Sequence, residues 1–262
     1  MKARARLPDH AVLLPALLGL SACAWLLTNR LAGDDMRLGI LTGSGDIAMD
    51  MDAASHSMAL GLFMATWVVM MVAMMFPAVA PVVLTFRRWA DSRGRSGWAT
   101  GAFVAGYLTV WTAIGGLVYA VLLSLEAWLA GGEDGAVRAG AILLMGAGVY
   151  QFSPLKDVCL KHCRSPLGFL MMHGDTLTRG YSGPFRVGVV HGAYCLGCCW
   201  ALMIVLVLLG LMNIVWMGVV AAVILVEKVL PAGEVMSRVA GASFVIVGVV
   251  LAMSPRVLPP LT

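Results

Sequence analysis

Long apolar segments recur along the whole chain, and they constrain its fold more than any other feature. Most run for about 18 residues or more, and they lack the polar–apolar alternation of barrel strands. Hydrophobic residues make up 60% of the 262 residues and charged residues only 12%, against about 25% charged in a soluble domain. Since only helices and closed barrels satisfy their backbones in lipid, the sequence predicts an all-α polytopic membrane protein surrounded by a lipid bilayer.

Seven apolar segments are candidates for membrane-spanning helices. They cover approximately residues 11–27, 58–86, 98–123, 136–152, 187–211, 214–229 and 235–253. If the N-terminus lies inside, all but four of the 18 Lys and Arg fall on the inner side, as the positive-inside rule requires. We therefore expect an N-in, C-out topology. Residues 1–57 would form a first span with an acidic outer loop, and residues 58–262 a six-helix membrane domain.

The first apolar segment allows two interpretations. Residues 20–23, ending in Cys23, resemble a bacterial lipoprotein cleavage box, so the segment could be a cleavable signal carrying a lipidated cysteine. The alternative is a first transmembrane helix with a lone buried Cys23, which behaves as a small hydrophobe. Further spans follow it, and this favours the helix.

Methionines accompany the second span and the loop before it. Met49, Met51, His56 and Met58 could form an outer site that captures soft Cu(I), or they could be incidental to a flexible acidic loop. Within the span, Met70 and Met74 share one helix face, as do Met71 and Met75. These four residues, here named the methionine stripe, predict either a relay of thioether ligands or adaptable packing.

A short helix is predicted over residues 153–165, on the inner side of the membrane. Ser153 can cap it and Pro154 suits its first turn, whereas Pro166 should end it. Its two cysteines, Cys159 and Cys163, are four residues apart and therefore face the same way.

Residues 191–203 concentrate the most chemistry of any segment. At 100° per residue, one stripe about 100° wide carries His191, Cys195, Cys198 and Cys199. Thiolates gathered in lipid need a compensating cation, and a soft metal would supply it. Thiolate and thioether ligands favour Cu(I), while Cys with His also suits zinc.

The same cysteines and histidines also suit three roles that involve no copper. The cysteines could be packing residues of a structural or assembly subunit, or a dithiol redox pair in the Cys195-Leu-Gly-Cys198 motif. His191, His162 or a methionine could instead bind haem as an axial ligand. No set of nucleophile, base and orienting residue indicates an enzyme, and no basic patch indicates nucleic acid as a partner. Glu227 and Lys228 end the sixth span, where we expect them to reach the membrane interface.

Five blocks of this sequence resemble the DUF2182 family of bacterial integral membrane proteins. They are residues 70–77, 150–156, 159–166, 191–203 and 227–228. The family is described as metal-binding, and some members are labelled copper chaperones. The resemblance covers about residues 60–255 and implies a membrane protein that binds a metal.

Together these observations predict a Cu(I)-handling protein of the bacterial inner membrane, acting in uptake, buffering or delivery to a cuproenzyme or another membrane subunit. Its core ligands would be His191, Cys195, Cys198 and Cys199. Cys159 and Cys163 would be second or exit ligands, and the methionine stripe would provide weaker sites.

Overall fold

The computed structural model describes residues 9–31, 53–95, 97–129, 133–178, 180, 182–210 and 213–253, without the side chains of 9–11, 31, 53–59, 125–129, 133–136 and 178. These residues form ten α-helices and no strand, which confirms the all-α class. The helices are α1 Asp9–Leu31, α2 Ala53–Ser92, α3 Trp98–Leu129, α4 Glu133–Tyr150, α5 Pro154–Arg164, α6 Pro166–Met172, α7 Gly174–Thr178, α8 Gly183–Leu209, α9 Ile214–Val229 and α10 Gly233–Met253.

Each of the seven predicted spans coincides with one of the long helices. Five of the described helices, namely α1, α2, α3, α8 and α10, are long and apolar enough to cross a membrane. The remaining two, α4 and α9, have 18 and 16 residues, and at 1.5 Å per residue α9 is shorter than a bilayer core of about 30 Å. The seven-span topology and its orientation therefore stay predictions.

Local signals at helix ends behave as the sequence predicts around the cysteine-bearing helix α5. The Ser153 side chain accepts a hydrogen bond from the backbone N–H of Lys156, and Pro154 occupies the first turn. Pro166 starts the next helix, so α5 ends at Arg164. By contrast, the predicted second span ends near residue 86, whereas α2 continues to Ser92.

Helix α1 packs along α2. Ser21 Oγ and Trp25 Nε1 both donate to the carbonyl oxygen of Ala73, at 2.7 and 3.1 Å. Cys23 is exposed, which corrects the expectation that it is buried, because the side of α1 that packs on α2 carries Ser21 and Trp25 instead.

Glycines set the separation between α3 and α8, the pair on which the cysteine motif depends. A Cβ at Gly106 would lie 2.1 Å from the carbonyl oxygen of Phe185, and one at Gly188 would lie 2.0 Å from that of Phe103. The two backbones are therefore in direct contact, as small residues allow in membrane helices. This contact holds α3 side chains against the cysteine-bearing face of α8.

Candidate metal site

The cysteine-bearing face of α8 points into the protein. His191, Cys195, Cys198 and Cys199 are each 2% exposed or less, so the stripe that these four side chains share faces inward, a direction that the sequence left open. Met203, the last residue of the 191–203 segment, is also buried. The stripe therefore lies at helix–helix contacts.

Helix α5 brings two further thiols to this stripe. Cys163 Sγ lies 3.7 Å from Cys198 Sγ. Cys159 occupies the space above Gly197, where a Cβ would lie 2.5 Å from its sulfur. The structure thus brings together five cysteines predicted from two separate segments, and we name Cys159, Cys163, Cys195, Cys198 and Cys199 the thiol cluster.

Hydrogen bonds fix the sulfur positions on α8. The Cys198 and Cys199 thiols donate to the backbone carbonyl of Cys195, at 3.1 and 2.9 Å. The Cys195 sulfur is contacted by the hydroxyl of Tyr107 at 3.1 Å and by the ammonium of Lys228 at 2.9 Å. Cys195 is therefore the polar centre of the cluster.

The position of Lys228 corrects a prediction. The sequence places Glu227 and Lys228 at the membrane interface, but the two residues are 1% and 8% exposed. Both side chains point from α9 into the protein, where Glu227 contacts Lys156 and Lys228 contacts Cys195. A glutamate and a lysine in an apolar helix are costly to bury and are functional candidates on that ground alone, which is the signal that sequence reasoning passed over.

Glu227 forms a buried ion pair within a hydrogen-bond network that joins α5, α9 and α10. The Lys156 ammonium on α5 donates to both carboxylate oxygens of Glu227, each at 2.9 Å, and also to the side-chain oxygen of Gln151. Ser237 on α10 donates to Gln151. This network fixes α9, and with it Lys228, relative to α5.

His191 contacts aromatic rings. Its ring lies 5.0 Å from that of Phe169, 5.9 Å from Phe103 and 6.0 Å from Tyr107, centroid to centroid. Its Nδ1 has no hydrogen-bond partner within the described part of the chain. His191 lies on the same helix face as the thiols, but among the described residues no hydrogen bond joins its ring to a sulfur. His162 stacks on Tyr194 at 4.3 Å.

The methionine stripe lies inside the helical core. Its four side chains are each 2% exposed or less, and they belong to the same apolar core as Trp67 and the thiol cluster. The outer capture site predicted from the sequence lies outside what the structure describes. Met49 and Met51 fall between the described helices, and the side chains of His56 and Met58 are not among those described.

A family model described as a copper chaperone, PpoB2, matches residues 64–251. The chain belongs to the PpoB2 copper-chaperone family. This is the DUF2182 family, so the resemblance is confirmed. No curated protein and no solved structure matches the chain. The matched range contains the methionine stripe, the whole thiol cluster and Lys228, whereas Cys23 lies outside it.

The sulfur geometry of this copper-chaperone family member can be tested against a metal ion. Two thiolates on one tetrahedral ion, each about 2.3 Å from it, lie about 3.8 Å apart, and Cys163 and Cys198 are 3.7 Å apart. Within the described residues, no group of three or more His, Cys, Asp and Glu side chains is arranged to hold a metal ion. Among the described residues, the Cys163 and Cys198 sulfurs are thus at a separation that one ion can bridge, whereas a third or fourth ligand would require side-chain movement.

The surroundings of the two α5 thiols favour their protonated form. Burial raises the pKa of the Cys159 thiol. The contact with Cys198, together with burial, raises the pKa of the Cys163 thiol well above its usual value. Because a thiol binds a metal as thiolate, a bound ion must release these protons.

Proposed function

We propose that this copper-chaperone family member binds Cu(I) as cargo inside the membrane, with Cys163 and Cys198 as the primary ligand pair. The observation that supports this most strongly is the 3.7 Å separation of two sulfurs supplied by different helices. Soft thiolates favour Cu(I), and a monovalent soft ion is stable with two sulfur ligands. Cys195, Cys199, Cys159 and His191 are adjacent groups that would receive the ion from this pair.

The wider role that we propose is copper handling in the bacterial inner membrane, with the N-terminus inside. The protein would take up, buffer or deliver copper to a cuproenzyme or another membrane subunit. The methionine stripe would provide weaker thioether sites along the way. Replacing Met70, Met71, Met74 and Met75 together by Leu should slow copper loading several-fold in proteoliposomes and leave the final copper content unchanged.

Elemental analysis of detergent-purified protein tests the site directly. The wild type is loaded with copper under reducing conditions beside a Cys195→Ser/Cys198→Ser/Cys199→Ser variant. Cys23→Ser is the matched control, because Cys23 is exposed and lies outside the family match. We expect stoichiometric copper in the wild type and in the control, and loss of copper in the triple variant.

The competing function is a structural or assembly subunit whose cysteines only pack. It is favoured if the wild type and the folded triple variant hold equal copper, or if neither holds any. Zinc in the same elemental analysis would show that the site binds zinc, and haem absorbance would show that the protein binds haem. Both are alternatives that the sequence left open.

A further inference from the structure

Lys228 places a buried positive charge beside the proposed copper ligands. Its ammonium lies 2.9 Å from Cys195 Sγ. Cys195 in turn accepts, through its backbone carbonyl, the hydrogen bond of the Cys198 thiol, and Cys198 is 3.7 Å from Cys163. The charge is therefore one side chain away from the sulfur pair. The proposed function makes no use of it.

The neighbouring carboxylate is already paired with another lysine. Both oxygens of Glu227 accept hydrogen bonds from Lys156 at 2.9 Å. Because one carboxylate balances one ammonium, Lys156 and Glu227 form a neutral pair. Glu227 is therefore not available to balance Lys228, and the side-chain atom in contact with the Lys228 ammonium is the Cys195 sulfur.

The charge of a bound ion decides whether Lys228 is balanced. A monovalent ion held by two thiolates carries a net charge of −1, which Lys228 neutralises. A divalent ion held by the same two thiolates is neutral overall and leaves the ammonium uncompensated. An uncompensated charge in a buried site is strongly unfavourable. A third thiolate would restore the balance for a divalent ion, but no three-ligand group is arranged among the described residues.

We propose that Lys228 is a specificity-determining residue: it is the counter-ion of a bis-thiolate complex and makes the site prefer soft monovalent ions over soft divalent ions. This inference rests on the proposed function, because it requires that the thiol cluster binds Cu(I). Sulfur ligands alone bind soft monovalent and soft divalent ions, so a further group must select between them.

The test compares Cu(I) and Zn(II) affinities in purified protein. Lys228→Met removes the charge and keeps most of the side-chain volume, whereas Lys228→Arg keeps the charge. Lys161→Met makes the same chemical change at an exposed lysine of α5. We expect Lys228→Met to lower the ratio of Cu(I) to Zn(II) affinity by about tenfold or more, the equivalent of one charged hydrogen bond. Lys228→Arg and Lys161→Met should leave the ratio within a few-fold of the wild type.

The outcomes separate the two proposals. If the wild type binds no Cu(I), the proposed function fails and the role of Lys228 fails with it. If the wild type binds Cu(I) and Lys228→Met changes both affinities equally or not at all, only the role of Lys228 is overturned.

A second measurement needs no variant and covers the case in which Lys228→Met does not fold. The wild type is titrated with Ag(I) and Cd(II), which are both thiophilic and differ in charge. Retention of Ag(I) with much weaker Cd(II) binding supports the inference. Cd(II) bound at the thiol cluster as tightly as Ag(I) overturns it.

Discussion

The thiol cluster and the methionine stripe are both buried and rich in sulfur, but their surroundings differ. The Cys195 sulfur is contacted by an ammonium and a phenol hydroxyl, and the Cys198 and Cys199 thiols donate to a backbone carbonyl. The methionine side chains lie in the apolar core with residues such as Phe63 and Trp67. One region is organised by charge and hydrogen bonds, and the other by volume.

This difference follows from the chemistry of the two sulfurs. A thioether carries no proton and no charge, so burial among apolar groups costs it nothing. A thiol that must become a thiolate needs a compensating cation, supplied either by an ion or by the protein. Charged residues accordingly accompany the cysteines. Changes of charge should therefore matter most at the thiol cluster, and changes of volume at the methionine stripe.

The largest expected effect is the loss of one charge beside the thiol cluster. Glu227→Gln leaves the buried Lys156 ammonium without its partner, and this should cost about 3–5 kcal/mol of unfolding free energy. Thermal unfolding in detergent measures it. The double variant Lys156→Met/Glu227→Met removes both charges and should recover most of that loss. If the single and double variants are equally unstable, the pair acts through packing.

At the methionine stripe, the loss of unfolding free energy should be comparable but should depend only on the volume of the side chain. Met71 is fully buried, so Met71→Ala should cost about 2–5 kcal/mol. Met71→Leu conserves volume and should cost less than about 1.5 kcal/mol. Copper affinity, measured on the same samples, should not change in the Leu variant. A fall in that affinity would make Met71 a ligand of the bound ion and would erase the contrast between the two regions.

Packing around a glycine provides the next test. Gly197 lies within the motif of the thiol cluster, and a Cβ there would lie 2.5 Å from Cys159 Sγ. Gly197→Ala should therefore cost about 1–3 kcal/mol through overpacking. Gly146→Ala is the control, since a Cβ there meets nothing within 4 Å, and it should stabilise α4 by up to about 1 kcal/mol. Equal effects at both positions would show that the contact of α5 with α8 is loose.

Local sequence signals predicted the parts of the site that one helix determines. The shared stripe of α8 follows from helical periodicity, and the bounds of α5 follow from Ser153, Pro154 and Pro166. In each case the residues that determine the feature lie within one helix or directly beside its ends. Cys163 lies beside Cys198, but the ligand role expected for the α5 cysteines stays a prediction.

The partners of Cys195 could not be predicted in this way. Tyr107 is 88 residues away along the chain and Lys228 is 33 residues away, so both contacts depend on how helices are rotated against one another. That rotation is set by packing, for example at Gly106 and Gly188, where α3 and α8 touch. The sequence shows that residues 227–228 are charges at the end of an apolar helix. It does not show that their side chains point into the protein.

The smallest expected effect is at Tyr107, whose hydroxyl contacts Cys195 at 3.1 Å. Tyr107→Phe removes this one hydrogen bond and should cost about 0.5–1.5 kcal/mol of unfolding free energy. Copper affinity should change only a few-fold, because the Lys228 ammonium still contacts the same sulfur. Tyr119→Phe is a matched control: the Tyr119 hydroxyl is buried and has no hydrogen-bond partner among the described residues, so its removal should be neutral or slightly stabilising. A large loss of copper affinity in Tyr107→Phe alone would instead make the hydroxyl, and not the ammonium, the group that holds Cys195 ready for the ion.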